Sequence, residues 1–185
     1  MIYLVGGCSR SGKTTLARRL LAERGVPYFS TDYLARGLHG AGIGEVSPEE
    51  DDRITAAKLE PVLISLAAAA AYDRRDYLIE GVHLGPWQIR RILDRVAPPL
   101  AGCLLGCPEI DPAEKLAQLK ARASGQGDWL MDFDAGAQLR FLQRQREISR
   151  EQRGEADSAR IPFFDSGADF DSALDQAFWT LSEQP

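Results

Sequence analysis

The stretch Gly7-Cys8-Ser9-Arg10-Ser11-Gly12-Lys13-Thr14 fits the pattern G-x-x-x-x-G-K-[ST] at every specified position. Before it, Ile2-Tyr3-Leu4-Val5 is a short β-branched and aromatic run; after it, Leu16, Ala17, Leu20 and Leu21 recur at helical spacing. Strand, glycine loop and helix in that order turn a string match into a physical statement. Glycines let successive backbone N–H groups curl around an anion, and the new helix points its positive end at the same place. On average residue usage the bare pattern arises by chance in on the order of 1% of chains this long, so the loop is read as a nucleotide site. Gly7, Ser9, Arg10, Ser11, Gly12, Lys13, Thr14 and Thr15 form the expected binding set. Lys13 is expected to reach the β- and γ-phosphates and Thr14 to ligate Mg²⁺.

Length and charge bound the rest. At 185 residues the chain suits one domain, residues 1–185, with 44% hydrophobic and 26% charged residues. A formal net charge of −5 argues against broad binding to nucleic acid, which needs a basic surface. Cys8, Cys103 and Cys107 make an odd count with no C-x-x-C pair, which suits a reducing compartment and no disulfide framework. Cys8 has two readings, an oxidation-sensitive loop thiol or a small buried filler. The start lacks the basic region of a signal peptide, and the apolar stretch Val62 to Tyr72 is too short to span a bilayer. A cytoplasmic chain without membrane contact is expected. Two histidines and no C-x-x-C leave no structural zinc pattern.

Strand and helix signals alternate along the chain, the pattern of a parallel sheet with helices on both faces. Strands are expected near residues 2–5, 27–30, 77–80, 100–105 and 161–164. A first helix over 13–24 should stop at Gly25. Ser47-Pro48-Glu49-Glu50 reads as a capping box that opens a helix, broken or kinked at Pro61 and resumed through Leu66–Ala71. Pro86 opens another helix, Asp111-Pro112-Ala113-Glu114 repeats the start signal, a long polar helix covers about 136–153, and Asp171 begins the last. Four glycines within residues 37–44 predict a mobile segment, and Ser124-Gly125-Gln126-Gly127-Asp128 breaks the pattern again.

A phosphate cradle needs a metal partner and a group that receives or activates. Glu80 ends the apolar run Tyr77-Leu78-Ile79 and is followed by Gly81; in a parallel sheet that end lies beside the loop. It is read as a Mg²⁺ partner through water or as an acceptor-orienting acid, against a solvated acid closing a strand. Asp32, in Ser30-Thr31-Asp32-Tyr33, sits at the same edge as a base for an attacking hydroxyl, or as an N-cap.

The glycine loop, Ser30-Thr31-Asp32 and Glu80-Gly81-Val82-His83-Leu84-Gly85-Pro86 together resemble the small-molecule P-loop kinases, and the last run is closest to 2-phosphoglycerate kinase. That resemblance implies an α/β three-layer P-loop NTPase sandwich: a five-stranded parallel sheet in order 2-3-1-4-5 with helices on both faces. It also implies an acceptor-side segment at about 33–60, a short lid at about 122–137, and a resting place for adenine near Ile161–Ser166. The implied lid holds Asp128, Asp132 and Asp134, while arginines flank it at Arg122, Arg140 and Arg144. Those three are the candidates for clamping the transferring phosphate, each against a solvated helix face. His83 is a candidate acceptor contact or a structurally partnered loop histidine; Arg36 and Arg53 bind an anionic substrate or face water. Where 2-phosphoglycerate kinases tend to show H-x-x-R-F-x-x-R, this chain has Lys115, Gln118, Leu119 and Arg122, and the last arginine alone matches.

The expected activity is therefore an ATP- and Mg²⁺-dependent kinase acting on a hydroxyl of a small, anionic metabolite. The alternatives are a nucleotide-binding switch or slow NTPase controlling a partner, and a kinase for a nucleotide, sugar nucleotide or antibiotic. The partners expected are a nucleoside triphosphate and a small-molecule acceptor; no motif specifies ATP over GTP or an oligomeric state.

Overall fold

The computed structural model describes residues 1–47, 49–122 and 129–183. Five strands form one parallel sheet: β1 (Ile2–Gly7), β2 (Tyr28–Ser30), β3 (Tyr77–Glu80), β4 (Leu100–Gly106) and β5 (Phe163–Asp165), in the order β2-β3-β1-β4-β5. The central pairings run Val5 with Glu80 on one side and Val5 with Cys103 on the other. All five strands lie where the sequence pattern places them, and their order is the one the resemblance implies. β1 is longer than expected and carries the first glycine of the loop as its last residue.

Side chains alternate across the sheet and build two cores. Leu4, Ile79 and Leu104 point to one face, where they meet α3 (Asp52–Tyr72), α4 (Pro86–Arg95) and the C-terminal part of α6 (Ala135–Ala159). Val5, Leu78, Cys103 and Leu105 point to the other, under α1 (Lys13–Arg24) and α7 (Phe170–Ser182). Each leucine buried in these layers contributes about 1.5–3 kcal/mol. A smaller cluster of Leu116, Leu130 and Leu142 ties α5 (Pro112–Arg122) and the 3₁₀ turn Trp129–Asp132 to the first half of α6.

Several expectations need correction. Asp32 is not the N-cap that its alternative reading made it: Ser30 Oγ accepts from Asp32 N, and α2 (Thr31–Gly40) starts there. That helix absorbs Gly37 and Gly40, the first half of the glycine-rich segment. The following helix opens at Asp52 rather than at Ser47-Pro48, because the Asp51 carboxylate caps it through Arg53 N at 2.9 Å; Pro48 lies outside the described residues. Pro61 neither breaks nor ends α3. The carbonyl that loses its donor belongs to Ala57, an exposed residue, while Leu59, Leu63 and Ala67 on the opposite face hold the helix to the sheet. The continuous helix makes α3 long and apolar enough to cross a membrane by length and composition, which Val62–Tyr72 alone did not show. Its Leu59, Leu63 and Ala67 are core residues of the sheet layer. Of the expected lid, Arg122 is the last residue of α5, residues 123–128 lie outside the described residues, and α6 begins at Ala135, capped by Asp134.

Candidate active site

The loop between β1 and α1 closes where two backbones come closest. A Cβ on Gly7, whose φ is 125°, would sit 1.9 Å from Leu105 O, so this turn accepts no side chain. Inside the loop, Cys8 O accepts from Lys13 Nζ at 2.6 Å and from Ser11 Oγ at 2.8 Å. Lys13 is 6% exposed, a lysine kept in the loop by a carbonyl rather than a carboxylate. The outer side is braced from α6, where Gln145 Oε1 accepts from Ser9 N at 2.8 Å. Arg10 stacks over the Trp129 ring at 5.0 Å, linking the loop to the segment expected to form the lid.

The ends of β2 and β3 bring acids to the head of α1. Thr14 Oγ1 donates to Glu80 Oε1 at 3.0 Å. Glu80 is buried, and desolvation holds its carboxyl above the usual range against the opposing charge of Lys13 and the Thr14 hydrogen bond. Gly81 follows, and a Cβ there would lie 1.8 Å from Thr31 Oγ1. The missing side chain leaves room for Thr31 Oγ1 to hydrogen-bond His83 Nδ1 at 2.9 Å. His83, 5% exposed, stands between two carboxylates: Asp32 Oδ1 at 3.7 Å from Nδ1 and Asp52 Oδ1 at 3.9 Å from Nε2. Both separations exceed hydrogen-bond length. Burial depresses the imidazole, more than the two carboxylates raise it. Burial raises the Asp52 carboxyl, His83 opposes that, and Asp32 reinforces it.

Two cavities open from this edge. The larger, of about 730 Å³, is lined by Lys13, Thr14, Thr15, Asp32, Glu80, Arg36 and Arg122 among others, and ends at Trp129 and Phe170. The smaller, of about 330 Å³, lies between the start of α3, the β3–α4 loop and α6, with Asp52, Arg53, Gln88, Arg144, Gln145 and Gln152 on its walls. Val82 lines both.

The structure thus gathers Lys13, Thr14, Asp32, Glu80, Arg36 and Arg122 around one space. Arg53 and Arg144 go to the other: Arg53 pairs with Glu151 at 2.5 Å, and Arg144 lies 3.6 Å from Glu147. Arg140 lines a separate depression between α5 and α6 with Asp111 and Arg146. Arg122 packs its guanidinium 4.1 Å from the Phe170 ring centroid and 3.8 Å from Asp171.

Four lining residues escaped the sequence reading as site members. Asp52 fell inside the helix expected to open at Ser47-Pro48, and Gln145 inside the long polar helix expected over about 136–153. Phe170 sits before the expected start of the last helix. Lys115 did carry a signal: it precedes Arg122 by seven residues, two helical turns, and so shares its face. It is 3% exposed, with its ammonium 5.9 Å from the Phe170 ring.

No family model matches the chain. Among solved structures it is similar to a sugar kinase from Janibacter sp. HTCC2649, with TM-score 0.59 and 22% identity over 98% of this chain and 94% of that one. A gluconokinase from Sinorhizobium meliloti 1021 gives TM-score 0.56 and 19% identity over 98% and 90%. A shikimate kinase from Acinetobacter baumannii in complex with shikimate gives 0.54 and 19% over 99% and 93%. The fold is that of the small-molecule P-loop kinases. In sequence, a cytidylate kinase of Thermus thermophilus is 33% identical over 100 residues, which are 54% of this chain. The chain spans about half the length of that protein, 47%.

Proposed function

We propose that the protein is a kinase that transfers the γ-phosphoryl group of ATP to a hydroxyl of a small metabolite. One observation carries this reading: a carboxylate from α2, Asp32, faces the same cavity as the phosphate-loop lysine and the Thr14–Glu80 pair. A nucleotide switch needs no such acid opposite its phosphates. The loop fits a triphosphate, because Ser9, Gly12, Lys13, Thr14 and Thr15 line the larger cavity and Lys13 holds its charge inside the loop. A hydroxyl and a carboxylate 3.0 Å apart at the helix head fit Mg²⁺, which takes oxygen donors. When bound, the metal would neutralise phosphate charge.

In this scheme the chain's own groups divide the work. The loop amides and Lys13 bind and orient the triphosphate. Asp32 accepts the proton of the attacking hydroxyl, and His83, held by Thr31, fixes the wall against which the acceptor rests. Arg122, at the end of α5, clamps phosphate oxygens once it leaves Phe170. Arg144 reaches the acceptor from the smaller cavity, and Arg140 is left out because it lines the separate depression. We assign residues 33–60 to the acceptor side and 122–137 to the lid of a single domain, 1–185.

The acceptor is proposed to be anionic and of the 2-phosphoglycerate type. The Glu80–Pro86 run supports this, as do Arg36 on the larger cavity and Arg144 on the smaller. Gln118 in place of an arginine speaks for a less charged compound. The test is a screen of acceptors, including 2-phosphoglycerate, gluconate, shikimate and nucleoside monophosphates, reading ADP release from Mg-ATP. An acceptor-dependent rise that Asp32→Asn abolishes supports the kinase. ADP release unchanged by any acceptor would leave the slow NTPase.

A further inference from the structure

The proposed reaction makes no use of the thiols beside the loop. Cys8 is the first residue after β1 and Cys107 the first after β4, two neighbouring parallel strands. Their sulfurs face each other at 3.6 Å, and both side chains are buried, packed with Ile110 and partly buried Ile148. The β1–β4 register ends at Gly7 opposite Leu105, so the two cysteines are one position out of step, and it is the 3.6 Å between their sulfurs that puts them within reach of a disulfide bond. Cys103, the remaining cysteine, points to the opposite core under α1 and α7.

We propose that Cys8 and Cys107 are a peroxide-sensitive dithiol whose reversible disulfide distorts the phosphate loop. The electrostatics of the pair favour a reactive sulfur at Cys8. The hydrogen bond with Cys107 lowers the Cys8 thiol pKa against the opposing effect of burial, the charges of Lys13 and Lys115 add to the lowering, and the Cys107 thiol is raised in turn. Cys8 is 1% exposed, and the space it borders is the smaller cavity, which it lines together with Gly7; peroxide approaches from that side.

The chemistry balances in two steps. The Cys8 thiolate attacks one peroxide oxygen; the O–O bond breaks, the sulfur takes the hydroxyl, and the second oxygen leaves as hydroxide, taking up the thiol proton to become water. The Cys107 sulfur then attacks the Cys8 sulfur; the S–O bond breaks, and the hydroxyl leaves with the Cys107 proton as a second water. Two thiols and one peroxide give one disulfide and two waters, each sulfur losing one electron.

Closing the gap from 3.6 Å to a bond of about 2.05 Å pulls on the residue whose carbonyl holds Lys13 and Ser11. The next N–H, of Ser9, is fixed from the far side by Gln145. A loop drawn towards β4 between those restraints loses its alignment for phosphate. This consequence rests on the proposed nucleotide site; the cross-link itself does not.

The full chain is treated with hydrogen peroxide, mapped by mass spectrometry for linked peptides, and melted with and without Mg-ATP before and after dithiothreitol. We expect a linkage between the Cys8 and Cys107 peptides, loss of most of the nucleotide-dependent stabilisation, and recovery of both on reduction. Cys107→Ser should prevent the linkage and the reversible loss, and Cys103→Ser should behave as wild type. If Cys107→Ser fails to fold, the peptide map of the wild type decides. Absence of the linkage while other residues oxidise, or a linkage through Cys103, overturns the proposal. A linkage that leaves Mg-ATP stabilisation intact overturns its effect on the loop. Should the reduced protein gain nothing from Mg-ATP, the nucleotide site is what fails, and the peptide map still judges the pair.

Discussion

Thr14 Oγ1 donates to Glu80 Oε1 across 3.0 Å, joining the first turn of α1 to the end of β3. The two residues are sixty-six positions apart in sequence, and the parallel pairing of β1 with β3 brings them together. Around this bond the proposed nucleotide and acceptor groups are arranged.

Lys13 supplies the charge inside the loop. Lys13→Ala should abolish stabilisation by Mg-ATP, because one charged hydrogen-bond donor to phosphate contributes about 1.5–3 kcal/mol. Melting curves with and without Mg-ATP check this. A variant stabilised as much as wild type would show that another residue meets the phosphates.

Asp32 and Glu80 should separate kinetically. Asp32→Asn is expected to lower turnover by on the order of 10²-fold or more while nucleotide affinity stays nearly unchanged. Glu80→Gln should also shift the Mg²⁺ dependence. Titrating Mg²⁺ in steady-state assays of both variants is the measurement, and equal nucleotide-binding defects would contradict the division of roles.

Burial makes Glu80 costly to the empty protein. Its folded pKa is raised, so the folded state binds more protons than the unfolded chain between the ordinary carboxylate value and the raised one. Stability is therefore lost as pH rises through that window. Glu80→Gln should melt higher than wild type at neutral pH without ligand, and the advantage should vanish below the ordinary carboxylate range. Thermal melts from acid to neutral pH would reveal it; a variant less stable at neutral pH would mean that the ionised carboxylate is better compensated than its burial implies.

Gly81 makes room for the Thr31–His83 hydrogen bond on which the proposed acceptor wall depends. Gly81→Ala sets a methyl against Thr31 Oγ1, 1.8 Å away, and overpacking of this kind costs about 1–3 kcal/mol. The displaced Thr31 should release His83, so acceptor KM is expected to rise more than nucleotide affinity falls. Denaturant unfolding and separate KM measurements for the two substrates test both halves, and a neutral substitution would imply that the turn relaxes freely.

Elements with local causes were legible in the chain alone. The alternation of strand and helix signals placed all five strands, Gly25 stopped α1 where expected, and the proline starts at Pro86 and Pro112 held. The loop pattern put Lys13 and Thr14 at the head of α1, since eight consecutive residues contain the whole signal. Pro61 and the glycines of α2 went the other way: packing of Leu59 and Leu63 on the sheet, and the Ser30 cap, outweigh a lost donor and poor helix formers. Which distant groups meet was settled by folding in three dimensions. Arg36 and Arg122 face the larger cavity while Arg53 and Arg140 do not, because the tilt and rotation of α2, α3, α5 and α6 depend on packing partners far away in the chain. The same holds for His83 between Asp32 and Asp52, and for Cys8 against Cys107: a sheet edge assembles them from strands and helices that no stretch of sequence contains together.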